Sequence, residues 1–336
     1  MKSRATFRSV LLSIVLCLSV TSSGVAAEFK LRLPLGLQEQ AAYIPDGNPL
    51  TAQKVALGKQ LFWDTRWSRN GTVACVSCHE PAHGWADPRR VSLRFDGTPT
   101  ARHSPTLVNR LFSDVQQWGG TRASLEDQAI NASDQSPELL VKNLGAIAGY
   151  QEQFRAVFGT GVTPEGVAKA IAAYERMILS GNSPYDKFRA GNAKALSASA
   201  RRGLALFEGK ASCVTCHAGF NFTDESYHNI GVGMDAPSPD LGRFTVTKRD
   251  EHRGAFKTPT LRDVAKRPPY MHDGSAVSLA EVVAIYNRGG TPNPWLSGEI
   301  KPLGLSAAEQ ADLVAFMESL TGEVAAEIRT RPVLPK

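Results

Sequence analysis

The sequence predicts a mainly α fold made of two copies of one unit and joined by long loops. Three observations predict it. The pentapeptide Cys-x-x-Cys-His occurs twice, as Cys75-Val76-Ser77-Cys78-His79 and Cys213-Val214-Thr215-Cys216-His217. Similar segments accompany each copy. Leu57-Gly58-Lys59-Gln60-Leu61-Phe62 resembles Arg202-Gly203-Leu204-Ala205-Leu206-Phe207. Ser104-Pro105-Thr106-Leu107 matches Thr258-Pro259-Thr260-Leu261 at an offset of 154, and Ser124-Leu125-Glu126 matches Ser278-Leu279-Ala280 in the same register. A register held over about 20 residues marks an internal repeat. Apolar residues recur at helical spacing behind capping signals, and the long Gly/Pro/Asp-rich stretches show no strand alternation.

Taken in order, residues 1–27 read as a secretory signal. Lys2, Arg4 and Arg8 form a basic front, Val10 to Val20 an apolar run, and Val25-Ala26-Ala27 a small-residue cleavage site. A retained anchor is the alternative, although the run is short for a spanning helix. Cys17 would leave with the segment. The first unit is then 28–196 and the second 197–336, with the boundary between Ser180-Gly181-Asn182-Ser183-Pro184 and a helix beginning near Ser197. Thr163 caps a helix that has Pro164 at its first position, followed by Val167, Ile171, Tyr174 and Ile178. Ser278 to Tyr286 is another helix, ending before Gly289-Gly290. Ser306-Ala307-Ala308-Glu309 is a capping box ahead of Leu313, Phe316, Met317 and Leu320. The Gly/Pro/Asp-rich stretches 84–105 and 231–243 read as loops.

Cys-x-x-Cys-His attaches c-type haem. The thiols form thioethers with the vinyl groups, and the histidine takes one axial position on iron. Zinc binding or thioredoxin-like chemistry also uses Cys-x-x-Cys, but the histidine directly after each second cysteine argues against both. The fold class is thus two cytochrome-c-like haem domains related by duplication. All cysteines other than Cys17 lie in the two motifs, so none remains for a structural disulfide. Covalent haem fits an exported, periplasmic protein. Losing Lys2, Arg4 and Arg8 takes the formal charge from +6 to +3, and haem carboxylates offset the rest. The pI of about 9.1 therefore gives no ground for nucleic-acid binding, and no basic run interleaves with aromatics. No stable membrane span is expected.

The opposite side of each iron decides between electron transfer and peroxide chemistry. The candidate ligands are Met234, Met271, Tyr286, His83, His103, His228, His252 and His272. Any of them, taken singly, is also explained by packing or hydrogen bonding, and spacing leaves the choice open.

The chain resembles the bacterial di-haem cytochrome c peroxidase family, most closely its MauG-like branch, which includes MbnH. The likeness covers nearly the whole mature chain. It includes both haem motifs, Tyr227-His228-Asn229-Ile230-Gly231, Phe256-Lys257-Thr258-Pro259-Thr260-Leu261-Arg262 and Pro269-Tyr270-Met271-His272-Asp273-Gly274. The resemblance implies two covalent haems held by Cys75, Cys78, His79, Cys213, Cys216 and His217. It implies that Tyr286, 17 residues after Pro269, is the distal ligand of the second haem. It makes Trp118 the residue between the haems, Gln128 the group that orients peroxide, and Glu138 the acid/base, its pKa raised by partial desolvation. The loop position that carries a blocking histidine in resting peroxidases falls at about Phe95, which cannot ligate iron.

Two positions depart from the pattern. The family's calcium between the haems would map to His103, Arg267 and Pro269, and imidazole suits calcium poorly. A surface tryptophan used by MauG two residues before the second motif is Ala211 here, leaving Trp63, Trp67, Trp85 and Trp295 as the other aromatics of that kind. The expected function is a periplasmic di-haem peroxidase-like oxidoreductase. It would use hydrogen peroxide to form a high-valent two-haem state that oxidises a partner protein, in the MauG-like case by Trp or Tyr modification. The other readings are a peroxidase fed by a small cytochrome or copper protein, and a non-catalytic di-haem electron carrier.

Overall fold

Serine and threonine set where the helices begin. A computed structural model describes residues 29–132 and 136–336; the expected signal segment 1–27, with Cys17, lies outside them. Eight helices start behind a Ser or Thr whose side-chain oxygen accepts a backbone N–H of the first turn. The first unit holds α1 (Ala52–Trp63, capped by Thr51), α2 (Leu125–Asn131, Ser124), α3 (Pro137–Gly145, Ser136), α4 (Ala148–Phe158), α5 (Pro164–Glu175, Thr163) and α6 (Pro184–Arg189, Ser183). The second holds α7 (Ala198–Glu208, Ser197), α8 (Phe244–Thr247), α9 (Leu279–Asn287, Ser278), α10 (Ala307–Glu318, Ser306) and α11 (Ala326–Arg329). Each such cap is worth about 1 kcal/mol. The only sheet among the described residues pairs β1 (Tyr227–His228) with β2 (Phe256–Lys257), antiparallel.

The duplication is physical. In the first unit α1 crosses α5, and in the second α7 crosses α10. Each crossing is closed by a glycine. A Cβ on Gly58 would lie 1.8 Å from the Ala170 carbonyl oxygen, and one on Gly203 would lie 1.9 Å from that of Asp312. This contact explains the likeness of the two pre-motif segments, since only a bare Cα lets the backbones approach so closely. The 154-residue register continues into the loops. Thr106 donates its hydroxyl to Gly84 O (2.6 Å) and accepts from Val108 N (3.1 Å); Thr260 donates to Asn221 O (2.6 Å) and accepts from Arg262 N (3.1 Å). Asn109 and Asp263 both adopt φ near +60° and open a short 3-10 turn. Isolated bridges pair Gln116 with Arg122 and Tyr270 with Ala276.

Leu57, Leu61, Tyr150, Phe154 and Ile171 centre the first core, and Phe207, Phe222, Leu313 and Phe316 the second. The ends of the chain cross between them. Near the N-terminus, Gly36 O accepts from Arg262 of the second unit at 3.0 Å. At the C-terminus the residues after α10 return to the first unit. Tyr174 Oη donates to Ile328 O (2.7 Å), and Gly149 N donates to Lys336 O (3.0 Å). The tail belongs to the second unit in sequence but packs on the first in space.

Candidate functional site

Each Cys-x-x-Cys-His forms one tight turn. Cys78 N and His79 N donate to Cys75 O at 3.1 and 3.0 Å; Cys216 N and His217 N donate to Cys213 O at 3.3 and 2.9 Å. The turn brings two thiols and an imidazole together, as thioether attachment with adjacent axial ligation requires. Each imidazole is then oriented by a backbone carbonyl. His79 Nδ1 lies 3.2 Å from Trp85 O, and His217 Nδ1 lies 3.0 Å from Phe222 O. Trp85 and Phe222 adopt φ of 61° and 53°, a left-handed conformation costing about 1–2 kcal/mol for such residues. It turns both carbonyls toward the histidines. With Nδ1–H donated, each Nε2 keeps its lone pair for a metal. Burial lowers His79 to about 4 and also lowers His217, so both are neutral, as ligation needs. Burial likewise pushes Cys75 up, and Cys213 up to about 12. The residues fit covalent haem.

A cavity of about 420 Å³ surrounds the second motif, within the range of cofactor sites. Cys213, Cys216, His217, Tyr286 and Met271 line it, and His103 and Trp118 reach it from the first unit. Trp118 is pinned from both halves: its Nε1 donates to His103 O (2.8 Å), and its own carbonyl accepts from Lys257 N (2.8 Å). Tyr286 stands in the last turn of α9, and its hydroxyl makes no hydrogen bond to a described residue. Burial raises its pKa, with the Cys213 and Cys216 thiols adding to the rise. Thioether formation removes the thiol contribution, and a bound cation reverses the sign of the local effect.

The remaining candidate ligands separate by place. His83, which pairs with Glu80 at 3.1 Å, His252, which bonds Thr247 at 2.8 Å, and Met234 do not line the cavity. His228 lines it but is held by Asp224 at 2.8 Å. It is raised to about 9, first by Cys216 and then by Asp224; a thioether would cancel the first cause. The ligand atoms of Cys216, Asp224 and His228 lie within 4.8 Å of one another, but haem attachment commits the sulfur. His272 stacks on Phe256 with ring centroids 3.6 Å apart. Met271, Tyr286 and His272 are the lining candidates whose donor atoms have no hydrogen-bond partner among the described residues, and the His272 ring is stacked on Phe256.

Gln128 and Glu138 do not line this cavity. Their helices, α2 and α3, contribute Ala129, Leu140 and Leu144 to the core against which Cys75 packs, which places them in the first unit. Gln128 Oε1 accepts from Gln117 Nε2 at 2.8 Å, leaving its own NH2 free. Glu138 lies apart from this cavity. It is exposed in the first turn of α3, where the Ser136 hydroxyl and the helix-start N–H hold its carboxyl below the usual range. The protein surroundings of Glu138 therefore shift it opposite to the expected rise.

The 154-residue register that matches Ser124 with Ser278 also matches Ala132 with Tyr286. The first unit thus has a methyl group where the second has a phenol. Phe95 sits in the 84–105 loop with its carbonyl accepting from Asn70 Nδ2 (2.9 Å) and its ring under Arg69 (5.5 Å).

The calcium set fits in part. His103 offers no side-chain oxygen: its Nδ1 faces Arg89 O (3.2 Å), and its carbonyl accepts from Trp118. The carbonyls of Arg267 and Pro269 accept from no described residue. Calcium takes six to eight oxygens, so two carbonyls would need water to complete the shell. Ala211 is buried, and the alternative tryptophans are engaged in packing. Trp67 and Trp85 are core residues, Trp63 Nε1 faces Tyr174 Oη at 3.5 Å, and Trp295 lies under Arg253. The orienting carbonyls of Trp85 and Phe222 escaped the sequence reading. They lie six and five residues after their histidines, outside the 154 register, and only the paired bulky residues hint at them.

Comparison with known proteins places this geometry. A profile described as di-haem cytochrome c peroxidase matches residues 52–194, and one described as cytochrome c matches 200–321. The methylamine utilization protein MauG of Methylorubrum extorquens is 44% identical over 301 residues, covering 87% of this chain and 84% of that protein. The cytochrome-c peroxidase IdrP1 of Denitromonas iodatirespirans is 38% identical over 351 residues, covering 94% and 93%. The crystal structure of a MauG-like protein associated with microbial copper homeostasis superposes with a TM-score of 0.83 at 30% identity, covering 90% of this chain and 99% of that one.

Proposed function

The chain belongs to the di-haem cytochrome c peroxidase family, in its MauG-like branch, and from that premise we propose that it reduces hydrogen peroxide and passes the oxidising equivalents to a partner protein in the periplasm. Membership makes it a peroxidase-type oxidoreductase carrying haem c. When bound, haem c supplies the two-electron reduction of peroxide and the one-electron steps toward the partner.

The observation that carries the reading is the unequal pair that the 154-residue register aligns, Tyr286 and Ala132, in two units whose histidines are oriented in the same way. Tyr286 offers an oxygen donor to the second centre, and Ala132 offers nothing to the first. The first centre is then the one open to peroxide. Glu138, ionised at neutral pH, accepts the peroxide proton at a carboxylate oxygen and returns it to the departing oxygen. The free NH2 of Gln128 orients the peroxide. Trp118, fixed by His103 O and Lys257 N, stands where charge passes between the halves. Cyanide titration of the ferric protein tests the asymmetry: one equivalent per chain is expected, and two or none would overturn it.

A second reading, a peroxidase fed by a small cytochrome or copper protein, is favoured by Ala211 at the position of the MauG tryptophan. Mass spectrometry of a candidate partner after peroxide separates the two: a changed partner mass supports protein modification, and an oxidised partner of unchanged mass supports the donor-fed enzyme. The periplasmic placement rests on the pattern of residues 1–27 and on covalent haem. Among the described residues no helix is long and apolar enough to cross a membrane. Calcium is a finer proposal resting on the Arg267 and Pro269 carbonyls and water. With no carboxylate in the set, the ion should be lost on dialysis against EGTA, read by elemental analysis.

A further inference from the structure

Three arginines are buried among the described residues: Arg176, Arg262 and Arg267. Two have a carboxylate of their own. Arg176 pairs with Glu126 at 2.6 Å, and Arg262 pairs with Asp186 at 2.8 Å while donating to the carbonyls of Phe220 and Gly36. Arg267 has none. Its Nη2 donates to Thr260 O, it makes no ion pair with any described carboxylate, and its Nη1 is buried without a partner. A buried guanidinium without an anion is costly.

The missing anion has an obvious place. Arg267 lines the cavity of the second motif together with His217 and Tyr286. The other buried cation lining that cavity, Lys257, is already satisfied by Glu225, Ser113 and Val115 O. Haem c brings two carboxylates with it, carried away from the vinyl groups that the cysteines capture. The planar guanidinium is matched to carboxylate recognition.

We propose that Arg267 is the carboxylate clamp of the second haem, its guanidinium donating to a propionate oxygen. This assigns a cofactor-binding role to a side chain that the sequence singled out only for its carbonyl. It requires haem c in the second unit and nothing of the peroxide reading, so either can fail without the other.

The clamp offsets propionate charge near the iron and favours the reduced state, since hydrogen bonding and burial around haem set its potential. The test is a redox titration of fully haem-loaded protein, with the second haem assigned by its ferric paramagnetic resonance signal. Arg267→Gln keeps a donor for Thr260 O but loses the charge. Its reduction equilibrium should fall about tenfold, equivalent to about 59 mV for one electron, and Arg267→Lys should recover part of the loss. A change below twofold in Arg267→Gln overturns the proposal. If that variant does not load haem, the propionate Raman bands of Arg267→Lys decide: a shift from wild type supports the clamp, and unchanged bands overturn it.

Discussion

Glu175 ends α5 with its side chain wholly inside the first unit, and its Oε2 has no hydrogen-bond partner. Burial raises the carboxyl from an ordinary 4.5 to about 8, even though Arg176 and Arg110 pull the other way. Arg176 is already engaged by Glu126. The sign follows directly. Between pH 5 and 8 the folded protein keeps a proton that the unfolded chain has released, so stability falls as pH rises. The slope is about 1.4 kcal/mol per pH unit while Glu175 stays protonated in the fold, which gives roughly 2 kcal/mol between pH 6 and pH 8. Glu175→Gln removes the titration and keeps the shape. Urea unfolding of wild type and variant at both pH values reads the effect from the midpoints, provided the slopes agree. The variant should already be the more stable at pH 6, and its lead should widen by that amount at pH 8. A wild-type-to-variant difference that moves by less than about 0.5 kcal/mol between the two pH values, against the expected slope, refutes the reasoning.

Other expectations follow from the geometry. Gly203→Ala forces a methyl against Asp312 O at the α7–α10 crossing and should cost about 1–3 kcal/mol; an unchanged thermal midpoint would show that the helices can part without penalty. Tyr286→Phe removes the phenol donor, so cyanide stoichiometry should rise from one to two per chain. An unchanged value would move the ligand role to another lining donor, Met271 or His272. Glu138→Gln should slow the stopped-flow reaction with peroxide by roughly 100-fold or more. Because Ser136 holds the carboxyl low, the wild-type rate should persist into acid below the usual carboxylate range and fall only as Glu138 gains its proton there. An undiminished Glu138→Gln rate would remove its role.

Features carried by short-range chemistry were legible in the sequence. Cys75–His79 and Cys213–His217 are tight turns because their spacing allows nothing else with both thiols on one haem. The caps at Thr163, Ser278 and Ser306 open helices in the structure, with α9 running one residue past Tyr286. The 154-residue register survived as matching turns, bridges and hydroxyl bonds. Features made by distant partners were not legible. No pattern announces that Arg267 lacks an anion when Arg262 has Asp186. That Glu138 stays exposed depends on how α3 packs through Leu140 and Leu144. The return of the tail onto α5 joins residues more than 150 positions apart in the chain.

That return has a consequence for biogenesis. Tyr174 and Gly149 wait for Ile328 and Lys336, so the half that leaves the ribosome early closes only after residues 328–336 have been made. Meanwhile Gly36, near the start, waits for Arg262. Each half thus borrows part of its packing from the other, and a chain halted before residue 328 would lack the Ile328 contact beside Trp85 and Tyr174.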